Sequence, residues 1–209
     1  MTDRPDVRHN KLIRMVIEME LERRSEREHW LSITDDPEWR RNHISDPNIS
    51  EDETIQAIVS VFPADPERIL EIGCGYGRLT SKIADRFPDA MVTGTDINGA
   101  VLVEAIPGAA YAVRDNLTGL PVQDAIYSVA VFQHLPDAEK YAYIKQSAEI
   151  LRPGGVLRVQ FIQGQRRNFC DHWVTREQMA EWLFISGFTS CEFDDGLAHP
   201  QWTWVTAVK

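Results

Sequence analysis

Short apolar, β-branched runs alternate with helix-patterned segments from residue 68 to residue 162, and this alternation limits the chain to few folds. The runs are Arg68–Ile72, Met91–Thr95, Ala109–Val113, Ala125–Val131 and Val156–Ile162. Helical spacing falls between them at Arg78–Arg86, Gly99–Ala105 and Ala138–Leu151. Strands alternating with helices give βαβ units and a mainly parallel sheet covered on both faces. After a further helix, "REQMAEWLFISGF", come "SCEFDD" and "QWTWVTAVK", which read as two late strands. Upstream, apolar spacing predicts a helix over residues 10–31, and "TDDPEWRRN" a short one from Thr34 to Asn42. Ser50 followed by Glu53 forms a capping box that opens a helix running to Phe62. The stretch "ERRSEREHW" reads as a solvated, charged helix face.

The first predicted strand runs into "EIGCGYGRLT", where Gly73, Gly75 and Gly77 stand between strand and helix. Glycine there permits a positive φ and a close ligand approach, beside a helix N-terminus with unpaired N–H groups. The P-loop pattern GxxxxGK[ST] does not occur. The dinucleotide pattern GxGxxG fails as well, because Arg78 stands where its third glycine belongs. Asp96 closes the second strand, one βαβ step after Glu71, so both lie at strand ends beside one crevice. A carboxylate there can accept both hydroxyls of a ribose. A nucleoside without a pyrophosphate fits this pattern best.

The stretches "ILEIGCGYG", "TGTDIN", "VRDNLTGLP", "DAIYSVAVFQHLPD" and "ILRPGGVLRVQF" resemble, in order, the motifs of class I S-adenosylmethionine-dependent methyltransferases. The resemblance covers about residues 66–163. It implies a Rossmann-like α/β fold with a seven-stranded, mainly parallel sheet whose last strand is reversed. Helices would lie on both faces, with an N-terminal helical lid over residues 1–50 and the core over residues 51–209. S-adenosyl-L-methionine is the cofactor it implies. Glu71, Gly73, Cys74, Gly75 and Gly77 would then wrap the methionine portion. Asp96 would hold the ribose, with Ile97 against the adenine and Asp115 and Asn116 at its edge. Asp115 also reads as an ordinary turn residue. Ser128 and Val129 would line the methionine end.

The acceptor is narrowed by exclusion. The Asn/Asp-Pro-Pro-aromatic run of base-amine methyltransferases is replaced by "FQHLP", and the Pro-Cys pair of cytosine-carbon enzymes is absent. Gln133-His134 supplies no carboxylate for a catechol-type metal site, so no metal is expected. A small molecule remains, methylated on oxygen or, as the alternative, on nitrogen. His134 is the first candidate base, or a structural histidine beside the cofactor. His172 stands before a helix where acceptor contacts are expected, or it caps and packs. Trp173 and Trp39 are candidate acceptor walls, with Trp30 a further aromatic in the N-terminal segment. Trp202 and Trp204 share one face of a strand and read as core residues.

Lys+Arg 22 against Asp+Glu 32 gives a net charge of −10, which disfavours a nucleic-acid acceptor. Arg166-Arg167 keeps a protein or nucleoside acceptor as an alternative, and a catalytically silent cofactor-binding regulator is another. The three cysteines form no CxxC pair, and no stretch reaches membrane-spanning length. A reduced cytoplasmic protein, monomeric or homodimeric and without a membrane partner, is the expectation.

Overall fold

The structure is a computed structural model and describes residue 24 and residues 26–32, 50–102, 105, 107–164, 172–195 and 202–209. Trp39, Arg166, Arg167 and the helix expected over Thr34–Asn42 lie outside the described residues.

In chain order the elements are helix α1 (residues 26–32), α2 (Glu51–Val59), strand β1 (Arg68–Ile72), α3 (Arg78–Arg86) and β2 (Met91–Asp96). The short helix α4 (Gly99–Leu102), β3 (Ala110–Val113) and β4 (Gln123–Ser128) follow, then a 3₁₀ turn (Phe132–His134). The chain ends with α5 (Asp137–Ile150), β5 (Leu151–Ile162), α6 (Arg176–Ile185), β6 (Ser190–Asp195) and β7 (Trp202–Val208). Ser50 caps α2 as expected, its hydroxyl accepting the Glu53 amide at 3.3 Å.

The seven strands form one sheet in the order β3-β2-β1-β4-β5-β7-β6. Strands β1 to β5 pair in parallel, while β7 runs antiparallel to both β5 and β6. The expected mainly parallel sheet with a reversed last strand is therefore present. Its order reverses direction between β1 and β4, and a ligand crevice forms beyond the strand C-termini at such a point.

Helices cover both faces. On one, Ile58 of α2 and Leu79 and Ile83 of α3 pack on Ile69, Tyr127 and Trp204. On the other, Tyr143 and Ile144 of α5 and Met179 and Leu183 of α6 pack on Leu70, Ile126, Leu157 and Val205. Trp204 is buried, as its strand pattern predicts, and the Arg158 guanidinium lies 4.8 Å above its ring.

Several boundaries differ from the apolar pattern, α2 ending at Val59 and α4 at Leu102, and two of the differences bear on the site. Strand β4 stops at Ser128 although "VAV" continues the run, because Ala130 adopts φ 57° and turns the chain out of the sheet. Val131 is thereby released to pack against the glycine loop. Strand β5 begins at Leu151 and not at Val156, with an irregular register between Gln123 and Ala125 on β4.

In the middle of β2, a Cβ added at Gly94 would lie 2.8 Å from the Cys74 sulfur and 3.0 Å from the Thr80 hydroxyl. Gly94→Ala should therefore overpack the β1–β2–α3 junction and destabilise the fold by about 1–3 kcal/mol. A urea titration checks this through a lowered midpoint at unchanged slope; an unshifted midpoint would mean that the junction yields freely.

Candidate active site

The loop after β1 is tied to the end of β2. The amides of Gly73 and Cys74 both donate to the Thr95 carbonyl, at 2.7 and 2.9 Å. The Gly75 amide donates to Asp96 Oδ2 at 2.9 Å, and the Asn98 amide to Asp96 Oδ1 at 2.9 Å. The Gly77 amide returns to the Cys74 carbonyl at 2.9 Å. Four loop amides are thus spent within the chain, and this loop does not offer them to a phosphate in the manner of a P-loop. With backbone donors from Gly75, Asn98 and Ile97 on its four lone-pair sites, the Asp96 carboxylate keeps room for a ligand hydroxyl. Burial raises the Asp96 carboxyl above its ordinary range, against the pull of those backbone donors.

Beneath the loop, Glu71 is buried and accepts from the Thr80 hydroxyl and, at 2.8 Å, from the Tyr127 hydroxyl. Burial raises its pKa to about 7, against these donors and the Arg78 charge. The Cys74 thiol is pushed up too, first by burial and then by the Glu71 and Asp96 charges, so it is no nucleophile. Hydroxyls clamp the last carbonyls of β1 from both sides. Thr95 donates to Glu71 O and Ser128 to Ile72 O, each at 2.9 Å.

Two of the three glycines make room for this chain's own side chains. A Cβ at Gly73 would meet Val131 Cγ2 at 2.2 Å, and one at Gly77 would meet the Tyr111 hydroxyl at 2.3 Å. Both also hold positive φ, 73° and 79°. Gly75, with φ 52°, is the one whose amide grips Asp96.

Beyond the strand ends lies a cavity of about 260 Å³. Ile97, Asp115 and Asn116 line one end, following β2 and β3. His134, Glu139 and Tyr143 line the wall from the 3₁₀ turn and α5. Helix α1 contributes Glu26, Arg27 and Trp30.

That helix is stitched to each neighbouring loop. Asn98 Nδ2 donates to the Trp30 carbonyl at 2.9 Å, and Arg27 pairs with Asp115 at 3.0 Å. The Trp30 ring lies 4.6 Å from the His134 ring, centre to centre, and Glu26 Oε1 stands 3.8 Å from His172 Nε2. Burial tends to raise the Asp115 carboxyl, but the Arg27 hydrogen bond and charge outweigh it and hold it low.

Of the two candidate catalytic histidines, only His134 lines the cavity. His172 is buried behind Glu26, its amide bonded to the Gln133 carbonyl at 2.6 Å. The Lys140 ammonium holds the His172 carbonyl in turn. Trp173 is half-buried and sits against Gly164, where a Cβ would meet its ring at 2.8 Å. Ser128 is fully buried, and Val129 lies half-buried beside it at the strand end.

"ERRSEREHW" departs from its expected solvated face: Glu26 is 6% exposed, and Arg27 and Trp30 face the cavity. The signal was present in the sequence. Glu26 and Trp30 stand at i and i+4, on one side of a helix, within a charge run that hid them. Asn98 was missed because a turn residue after a strand looks ordinary.

Residues 69–155 match the family described as a methyltransferase domain. A trans-aconitate 2-methyltransferase of Methylobacterium radiotolerans is 42% identical over 100 residues, which is 46% of this chain and 38% of the relative. The protein of that name from Variovorax paradoxus is 39% identical over 99 residues, 44% of this chain and 38% of its own length. The matches thus span about two fifths of these curated relatives. Among solved structures, magnesium protoporphyrin IX methyltransferase of Synechocystis PCC 6803, crystallised with S-adenosylmethionine, superposes with a TM-score of 0.66. It is 19% identical and covers 90% of this chain and 97% of its own. Sheet order and strand-end loop define a Rossmann-like methyltransferase fold. Within that fold, residues 69–155 are the part that matches the methyltransferase-domain family.

The buried Glu71 gives a pH-dependent prediction. Its folded pKa of about 7 lies above the ordinary 4.5, so folding favours the protonated form. That contribution is complete below about pH 4.5 and is lost as pH rises through 7. Relative to wild type, Glu71→Gln should gain stability between pH 5 and 7.5, by up to about 3 kcal/mol. Denaturation curves of both proteins across that range are the check, and a pH-independent difference would contradict the burial argument.

Proposed function

We propose that this chain is an S-adenosylmethionine-dependent methyltransferase that methylates a small-molecule acceptor on oxygen. The observation that carries the proposal is the strand-end geometry: a glycine loop whose amides are already spent, a partly exposed Asp96 carboxylate and an open cavity. That set suits a nucleoside cofactor lacking phosphates. When bound, S-adenosylmethionine supplies a sulfonium-held methyl group open to in-line attack. In this reading Gly73, Cys74, Gly75 and Gly77 form the floor under the methionine portion, with Ser128 and Val129 closing its end. Glu71 holds that floor in place through Thr80 and Tyr127 and makes no ligand contact of its own. Asp96 accepts the ribose hydroxyls, Ile97 packs on the adenine, and Asp115 and Asn116 meet its edge.

The chain's chemical task is to position a nucleophilic oxygen and remove its proton. His134 stands in the cavity wall, held by the Trp30 ring, and is the residue assigned to take that proton. His172 acts behind the wall, as a positioning residue for Glu26. Trp173 and Trp39 are kept as acceptor-side aromatics. The small carboxylate acid in the relatives' names agrees with a small acceptor. It does not fix this one, because the family match covers residues 69–155 and leaves out α1 and His172.

Calorimetry with S-adenosylmethionine should show saturable binding, weakened by about 1–3 kcal/mol in Asp96→Ala. Gly75→Val should abolish it through a β-branched residue at positive φ. Unchanged binding in both variants would overturn the cofactor assignment. Incubation with a metabolite pool should yield S-adenosylhomocysteine, and binding without turnover would favour a silent regulator instead. With an acceptor in hand, His134→Ala should lower turnover by about 10²–10⁴-fold while cofactor affinity persists. Near-normal turnover would mean that positioning alone suffices.

A further inference from the structure

Resting on the methyltransferase reading, we infer that Arg27 of α1 is a positioning residue for the cofactor. It holds the Asp115 carboxylate at the adenine edge and so couples the docking of α1 to nucleoside binding. Arg27 Nη2 stands 3.0 Å from Asp115 Oδ2, and Asn116 Nδ2 donates to Oδ1 at 2.8 Å. One side-chain donor on each oxygen fixes the rotation of the carboxylate. The Asp115 amide is a third donor, so of about four lone-pair sites the group keeps room for a ligand donor. Arg27, Asp115, Asn116 and Ile97 border the same cavity. The exocyclic amine of adenine is a donor suited to a carboxylate held in this way.

A second tie runs from the same helix to the turn after β2. Asn98 donates through Nδ2 to the Trp30 carbonyl at 2.9 Å, while its own amide donates to Asp96 Oδ1 at 2.9 Å. Residues 27 and 30 stand at i and i+3, neighbours on one helix surface. That surface is therefore joined to both carboxylates assigned to the nucleoside, to Asp115 directly and to Asp96 through Asn98. The two ties differ in exposure. Asn98 is 5% exposed, whereas the Arg27 and Asp115 side chains are 39% and 48% exposed. An ion pair so open to water contributes little to folding, because solvent screens it and its side chains lose freedom. A nucleoside lying against the pair excludes water and strengthens its attraction. The tie is thus weak without ligand and strong with it. By linkage, whatever the ligand adds to the tie, the tie adds to the ligand's affinity.

The test is calorimetric titration of S-adenosylhomocysteine into full-length wild type, Arg27→Ala, Arg27→Lys, Asp115→Asn and the double variant of Arg27→Ala with Asp115→Asn. Amide hydrogen exchange in residues 26–32 is followed with and without the ligand. Arg27→Ala should weaken binding by about fivefold or more. Arg27→Lys should restore part of the loss, since it keeps the charge without the guanidinium fork. In the Asp115→Asn background the cost of Arg27→Ala should largely vanish. Ligand should slow exchange in residues 26–32 of wild type and leave it unslowed in Arg27→Ala. An equal cost of Arg27→Ala in both backgrounds would overturn the inference, as would equal slowing of exchange in both proteins. Tighter binding by Arg27→Ala would overturn it too, by making the pair a barrier to the adenine. Binding to wild type that is indifferent to Arg27→Ala overturns this inference alone, whereas no binding to wild type removes the methyltransferase reading and the inference with it.

Discussion

Everything at the crevice hangs on the bonds between the loop after β1 and the last two residues of β2. Thr95 accepts two successive amides and Asp96 a third, so the loop cannot move without breaking from the sheet. Such bonds contribute about 0.5–1.5 kcal/mol each, and more where the acceptor is charged. Their larger effect is geometric. They fix Asp96 at the mouth of the crevice and leave part of its accepting capacity unspent. They also set Gly73 and Gly77 where Val131, beyond the end of β4, and Tyr111, on β3, close over the loop.

Helix α1 completes the crevice by the same economy of means. Within residues 26–32 it meets Asn98 after β2, Asp115 after β3, His134 after β4 and His172 beyond β5. A cavity bounded in this way has one wall within the residues 69–155 that match the methyltransferase-domain family and another from α1, outside that match.

Much of the fold was legible in the sequence because its signals are local and periodic. Strand β1 and helix α3 fall where apolar spacing and the glycine loop put them, and β7 shows its buried face in Trp204. Boundaries failed where tertiary packing overrode pattern. Val131 is apolar because it covers Gly73, not because β4 continues, and Ala130 bends the chain to bring it there. At the site, Asp96 could be placed from strand-end logic. The burial of Glu26 could not, because a carboxylate in a charged run looks solvated until the fold sets His172 beside it. The purpose of two glycines was misread for a similar reason: Tyr111 and Val131 are distant in sequence, and their approach follows only from the sheet order.

Equilibrium binding of S-adenosylhomocysteine, set against NAD under the same conditions, is the most direct test of the crevice as a phosphate-free nucleoside site. Saturable one-to-one binding of S-adenosylhomocysteine, with no detectable binding of NAD, is the expected result. Binding of NAD with none of S-adenosylhomocysteine would contradict it, because a pyrophosphate needs the very amides that Thr95 and Asp96 hold.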